Sequence, residues 1–88
     1  MLTGKVLVRT VTNYYVGELV DEAEFKEPGF LGLRQASWVA DTGRFSAALK
    51  TGTLSEVEPY PADDVVLVNK GAVVDIAPWH HELPEKVK

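Results

Sequence analysis

The chain has 88 residues, enough for one domain whose modest core depends on tight packing or on oligomerisation. It is 45% hydrophobic and 25% charged, as a globular protein is, and it has no cysteine, which excludes a disulfide framework and a Cys-based zinc site. With 9 basic against 13 acidic residues, net −4, it lacks the overall positive charge on which broad nucleic-acid binding relies.

The N-terminal stretch MLTGKVLVRTVTNYY holds no apolar signal core followed by a small-residue cleavage site, so mature sequence that begins folding at once is expected. No apolar run approaches the roughly 20 residues of a membrane span. No membrane role is therefore expected, and the expected compartment is the cytoplasm, or a host's cytoplasm if the chain is viral. Lys5–Thr12, "KVLVRTVT", is rich in Val and Thr, whose branching at Cβ suits a pleated strand. Tyr15–Val20, "YVGELV", alternates as a second strand, with Asn13-Tyr14 as the hairpin loop between them. Gly17 weakens that strand unless a bend or a close backbone approach requires it.

Glu18, Asp21, Glu22, Glu24 and Glu27 then crowd together, opposed only by Lys26, as on a solvated face. Pro28-Gly29 is a type II turn signal. Phe30–Val39, "FLGLRQASWV", reads as a third strand; neither of its faces is cleanly polar, which suits a strongly bent strand. At Asp41–Gly52 the period changes. Phe45, Ala48 and Leu49 share one face of a short helix over about 42–51, with Asp41 or Thr42 as N-cap, Lys50 in the last turn and Gly52 after the end. At about two turns it must dock to be stable. Thr53–Asp64 is mostly loop, with a short extended piece at Leu54–Val57. Val65–Asn69 and Ala72–Ile76 flank Asn-Lys-Gly and read as a β-hairpin, "VVLVNKGAVVDI", with Lys70 at its tip. Residues 79–88 form a polar tail with Trp79 as its anchor, and 1–78 form the single domain. The order β-β-β-α-β-β predicts a mainly β fold, a small five-stranded, strongly bent antiparallel barrel with one short helix inserted between the third and fourth strands.

This pattern resembles the Sm/LSm/Hfq-like family, in a divergent form like that of phage or environmental members. The family's first motif is similar to Val6–Val11, then Val16-Gly17-Glu18-Leu19-Val20-Asp21, then Phe30–Val39. The other motif is similar to "VVLVNKGAVVDI", with Lys70-Gly71 where many members carry Arg-Gly or Lys-Gly. The chain departs from the pattern in lacking an N-terminal helix, in its inserted helix, and in holding Lys26-Glu27-Pro28-Gly29 where RNA-binding members place an Asn. The resemblance implies a homo-oligomeric ring of roughly five to seven subunits, closed by pairing the fourth strand of one copy with the fifth of the next. The expected interface residues are Val65, Val66, Leu67, Val68, Val73, Val74, Ile76 and Trp79. It also implies single-stranded RNA at the pore, held by Asn69, Lys70 and Gly71, with Phe30 as a surface for base stacking. The competing reading is a protein-binding or structural assembly module, such as a phage accessory or virion component, with no nucleic-acid role.

Other motifs carry less. Adjacent His80 and His81 in an extended tail point to opposite sides, so His80-His81-Glu82 is poor metal-ligand geometry. Ser37, Ser46 and Ser55 lack a nucleophile-elbow setting, and there is no phosphate-binding Gly-rich loop. The carboxylates lie in surface-like runs. The expectation is a non-enzymatic protein with no cofactor and no metal. Tyr14, Tyr15, Trp38 and Tyr60 read as packing residues.

Overall fold

The computed structural model describes residues 4–21 and 27–88. The acidic positions Glu22 and Glu24, with Lys26 between that run and the turn, lie outside the described residues. Six strands and one α-helix follow in chain order: β1 (Lys5–Thr10), β2 (Tyr14–Leu19), β3 (Phe30–Asp41), α1 (Phe45–Thr51), β4 (Glu56–Pro59), β5 (Val66–Asn69), a 3-10 turn (Lys70–Ala72) and β6 (Val73–Pro78). They form one antiparallel sheet in the order β4-β3-β2-β1-β6, with β5 also on β3. The fold is mainly β with one short helix, as the strand spacing predicts. It has six strands rather than five, and the sheet is not closed. The extra strand is β4, which takes in the end of the Leu54–Val57 piece and continues to Pro59.

The β1-β2-β3 meander is local and matches the sequence pattern closely. β3 is the long element, and it serves two partners. Its first part, residues 30–33, pairs with β5; its last part, residues 37–41, pairs with β4. Between them Gln35 takes φ 48°, a left-handed conformation unusual outside glycine. The β2–β3 register shifts at the same level, between Val16 and Glu18. Gly17 sits against this bulge. A Cβ there would lie 3.1 Å from Leu33 Cβ, 3.2 Å from the Ala36 Cα and 3.2 Å from the Arg34 carbonyl oxygen. The close approach expected of Gly17 is thus made by β3 itself, mostly by its backbone.

The sheet is apolar on both faces, because Val6, Leu7 and Val8 of β1 are all fully buried. One face carries Leu7, Val16 and Val39. It is covered by Ala48 of α1, by Leu54, and by Trp79 and Leu83 of the tail. The other carries Val6, Val8, Leu33, Ala36 and Val68 and is flanked by the half-buried Tyr15, Leu19, Leu31, Val66, Val73 and Ile76. This is why β3 shows no polar face in its sequence. The helix docks as its brevity demands. Gly52 ends it at φ 79° with its N–H donating to the Ala48 carbonyl at 2.8 Å. The expected N-caps do not cap. Arg44 holds that position with no side-chain bond, because Asp41 belongs to β3 and its carboxylate accepts the Gly43 N–H at 2.8 Å, while the Thr42 hydroxyl donates to the Gly43 carbonyl.

The segment "VVLVNKGAVVDI" is not a hairpin. β5 pairs with β3 and β6 pairs with β1, so two strands close in sequence lie on strands separated by β2. Three residues of 3-10 turn carry the chain across. The reason is competition for partners. β1 and β3 each have an open edge on the side away from β2, and both new strands gain a ladder and apolar packing on the inner cluster there rather than pairing with each other.

Candidate functional site

The 3-10 turn is built from its own sequence. The Asn69 side-chain oxygen accepts the Gly71 N–H at 2.8 Å, which satisfies a donor that the turn leaves free. The Lys70 N–H donates to the Gly29 carbonyl at 2.8 Å, and the Val11 N–H donates to the Ala72 carbonyl at 3.0 Å. The turn is thereby held between the Pro28-Gly29 turn before β3 and the loop after β1. Phe30 stands opposite Asn69 in the ladder. All four proposed ligand residues, Phe30, Asn69, Lys70 and Gly71, therefore meet at one exposed corner, and Phe30 is 38% exposed.

On either side of that corner lies a strand with an outer edge. Alternate residues of an antiparallel ladder turn their backbone groups to opposite sides. Lys70 bonds to Gly29, so Val68 and Val66 face β3, while Leu67 and Asn69 face away. On β6 the Trp79 N–H reaches the Lys5 carbonyl at 2.9 Å, so Ala77 and Asp75 face β1, while Ile76 and Pro78 face away. Pro78 has no N–H to leave unpaired. Among the described residues neither outer edge has a partner strand. The side chains along these edges divide. Val65, Leu67 and Val74 are exposed, Leu67 by 46% and Val74 by 54%. Val66, Val73 and Ile76 are half-buried against the inner cluster. Val68 and Trp79 are committed to the chain's own core and have no side-chain surface to offer a partner; Trp79 donates from Nε1 to the Glu82 carbonyl at 3.2 Å.

Charge at the β1–β6 border comes from a pair that sequence reasoning does not single out. Arg9 Nε donates to Asp75 Oδ1 at 3.1 Å, and Nη2 contacts the other oxygen, across the ladder pair Arg9–Asp75. Asp75, by these hydrogen bonds and by its charge, raises the Arg9 guanidinium further above its ordinary value. The Arg9 guanidinium also lies 5.7 Å from the centre of the Phe45 ring, which sits 5.7 Å from Tyr14. Only the ladder register brings Arg9 to Asp75, so no local motif announces them. On the far side of the sheet the Tyr60 hydroxyl is pushed above its usual pKa, first by burial and then by Tyr15.

The tail belongs to the packed molecule. His81 Nε2 lies 2.8 Å from the Leu49 carbonyl, to which it donates, and its ring packs edge-on to Trp79 at 5.1 Å. Among the described residues no group of three or more His, Asp or Glu could hold a metal ion. None of their helices is long and apolar enough to cross a membrane. Set against family models, curated proteins and solved structures, the chain matches none of them.

Proposed function

We propose that this chain is a non-enzymatic, Sm-like subunit that assembles head to tail into a homo-oligomeric ring through β5 of one copy and β6 of the next. In this reading β4 and α1 are an insertion into a five-strand plan, and single-stranded RNA is taken up at the corner of Phe30, Asn69, Lys70 and Gly71. The observation that carries it is the splitting of "VVLVNKGAVVDI". Two neighbouring strands are sent to different partners, and each keeps an outer edge with exposed Leu67 or Val74 beside it. Such edges invite strand addition, and pairing one with the other closes both.

RNA is the natural ligand for the corner because a ring repeats it. One Lys70 and one Phe30 per subunit become a circle of cations and stacking faces, and base–aromatic stacking contributes about 1–3 kcal/mol per base. The test is direct. Light scattering at micromolar concentration should report an oligomer; a monomer sinks the ring. Fluorescence anisotropy with uridine-rich and adenine-rich oligonucleotides at low salt should show binding that Lys70→Ala weakens about tenfold, since several copies of the charge are lost together. No signal with either oligonucleotide removes RNA and leaves assembly. The net charge of −4 favours that second reading, a ring or assembly module that binds protein.

A further inference from the structure

β4 also has an outer edge, and here one residue of the tail is already seated. The Val57 N–H donates to the Lys88 carbonyl at 3.0 Å, and the Lys88 N–H donates back to the Val57 carbonyl at 2.8 Å. Reciprocal bonds between one pair of residues are the signature of antiparallel pairing. Lys88 thus lies on β4 as one rung of antiparallel pairing. The hold is thin at this point. Trp79 and Leu83 are packed, but Val87 is 73% exposed, and Lys88 is exposed too.

We infer that the β4 edge is a docking site for a short extended peptide segment with Lys or Arg at alternate positions, and that the chain's own Val87-Lys88 segment is its resident occupant. The register supplies the specificity. In the ladder with Val57 at the centre, the residues on either side of the guest's central residue fall opposite Glu56 and Glu58. Both glutamates are exposed and make no ion pair among the described residues. Directly opposed residues share a face, so a guest with basic residues flanking its centre sets a cation beside each glutamate. The resident tail does not do this. With Lys88 opposite Val57, Val87 falls opposite Glu58, and its two lysines lie on the other face. A second copy of β4 is a worse guest still, because the same register opposes Glu56 to Glu58 twice. Beside the edge an open groove of about 1040 Å³, lined by Gln35, Ala36, Leu54, Tyr60, Leu83 and Pro84 among others, leaves room for the face of the guest that holds its central residue.

The experiment uses the full chain and a fluorescent peptide, Thr-Lys-Val-Lys-Thr, blocked at both ends. Wild type should bind it saturably. Lys88→Pro removes the N–H that the tail donates to Val57, and it should tighten binding about threefold or more by weakening the competitor. The double substitution Glu56→Lys with Glu58→Lys should weaken binding at least about tenfold, as two favourable cross-strand pairs become two repulsive ones. The same peptide N-methylated at its central Val cannot donate to the Val57 carbonyl and should not bind; this control lies on the peptide and is independent of how any variant folds. Absence of binding to both wild type and Lys88→Pro overturns the proposal. So does binding that survives N-methylation, which is charge attraction without strand addition. The ring and its RNA corner do not enter this test, because β5 and β6 are untouched.

Discussion

Proline substitutions at adjacent positions of β5 separate the fold from the assembly. Val66 turns its N–H to Leu33, and Leu67 turns its N–H to the outer edge. Val66→Pro removes an internal ladder bond and strands a carbonyl of Leu33, a residue with 0% exposure. An orphaned buried acceptor costs about 1–3 kcal/mol, and the fixed φ of proline adds to it. For a domain of this size, about 2 kcal/mol lowers Tm by roughly 8–16 °C. Leu67→Pro loses no bond within the chain, as befits an edge position, and its stability should fall by no more than about 1 kcal/mol. In a ring the effects exchange order. Each interface loses an outward donor, about 1 kcal/mol or fivefold per contact, and a closed ring compounds this over every interface. Sedimentation velocity on the two variants, with thermal melts by circular dichroism, reads both quantities. Leu67→Pro should be a folded, smaller species. If it keeps the wild-type mass while Val66→Pro melts no earlier than wild type, the edge assignment is wrong.

Other substitutions probe what positions the edges. Gly17→Ala places a Cβ 3.1–3.2 Å from Leu33 Cβ, the Ala36 Cα and the Arg34 carbonyl, so it should cost about 1–3 kcal/mol, less the few tenths recovered from the unfolded chain; an unchanged melt refutes the close-approach reading. Ser37 is fully buried and its hydroxyl has no hydrogen-bond partner among the described residues, so Ser37→Ala should be neutral or stabilise by up to about 1 kcal/mol, and a clear loss of Tm would show that the hydroxyl is bonded after all. Burial and Tyr15 raise the Tyr60 hydroxyl above its ordinary pKa of 10.0, so the unfolded chain ionises first. Its contribution is therefore flat below about pH 10 and is lost as pH rises from there. Tyr60→Phe should lessen the alkaline fall in stability measured by urea unfolding, and an identical pH profile refutes the assignment.

What the sequence discloses here is what is local. The meander β1-β2-β3 rests on alternation and short turns, and Gly52 marks the helix end by a conformation that few other residues accept. Gly17 announces a close approach without saying to what. Partner choice is not local. Asn69-Lys70-Gly71 is compatible with a hairpin tip and with a 3-10 turn, and the decision lies with β1 and β3, far away in sequence, whose free edges win over the hairpin. The same holds for Arg9 and Asp75, which meet only through the β1–β6 register. Gln35 gives no warning of its positive φ, because nothing in its side chain favours it; the bulge is imposed by a strand that must serve β5 on one half and β4 on the other. Glu56-Val57-Glu58 does alternate as a strand should, but a run of four residues that ends in Pro59, with Pro61 just beyond, is too short to stand out from a loop.

The treatment of the outer edges is itself an argument about function. An unpaired edge exposes a row of backbone donors and acceptors, and proteins blunt such edges with charge, proline or a covering segment. β4 has these protections: two exposed glutamates, Pro59 at its end, and Lys88 laid along it. β5 has none within its span; its outward residues are Leu67 and the turn-capping Asn69, with exposed Val65 just before it. β6 has Pro78 at its far end and the Arg9-paired Asp75 in its span, but the residues that turn their backbone groups outward before Pro78 are Val74 and Ile76. If all three edges faced only water, the same pressure would act on each, and the two apolar ones would be liabilities in a chain this small. The asymmetry is coherent if β5 and β6 are covered by another copy in the working protein and β4 is not. It also orders the consequences of failure. Loss of the β5–β6 contact should expose Leu67 and Val74 and make the free subunit aggregate, whereas release of Lys88 alone from β4 leaves Trp79 and Leu83 packed and should leave a soluble protein whose acidic β4 edge repels its own kind.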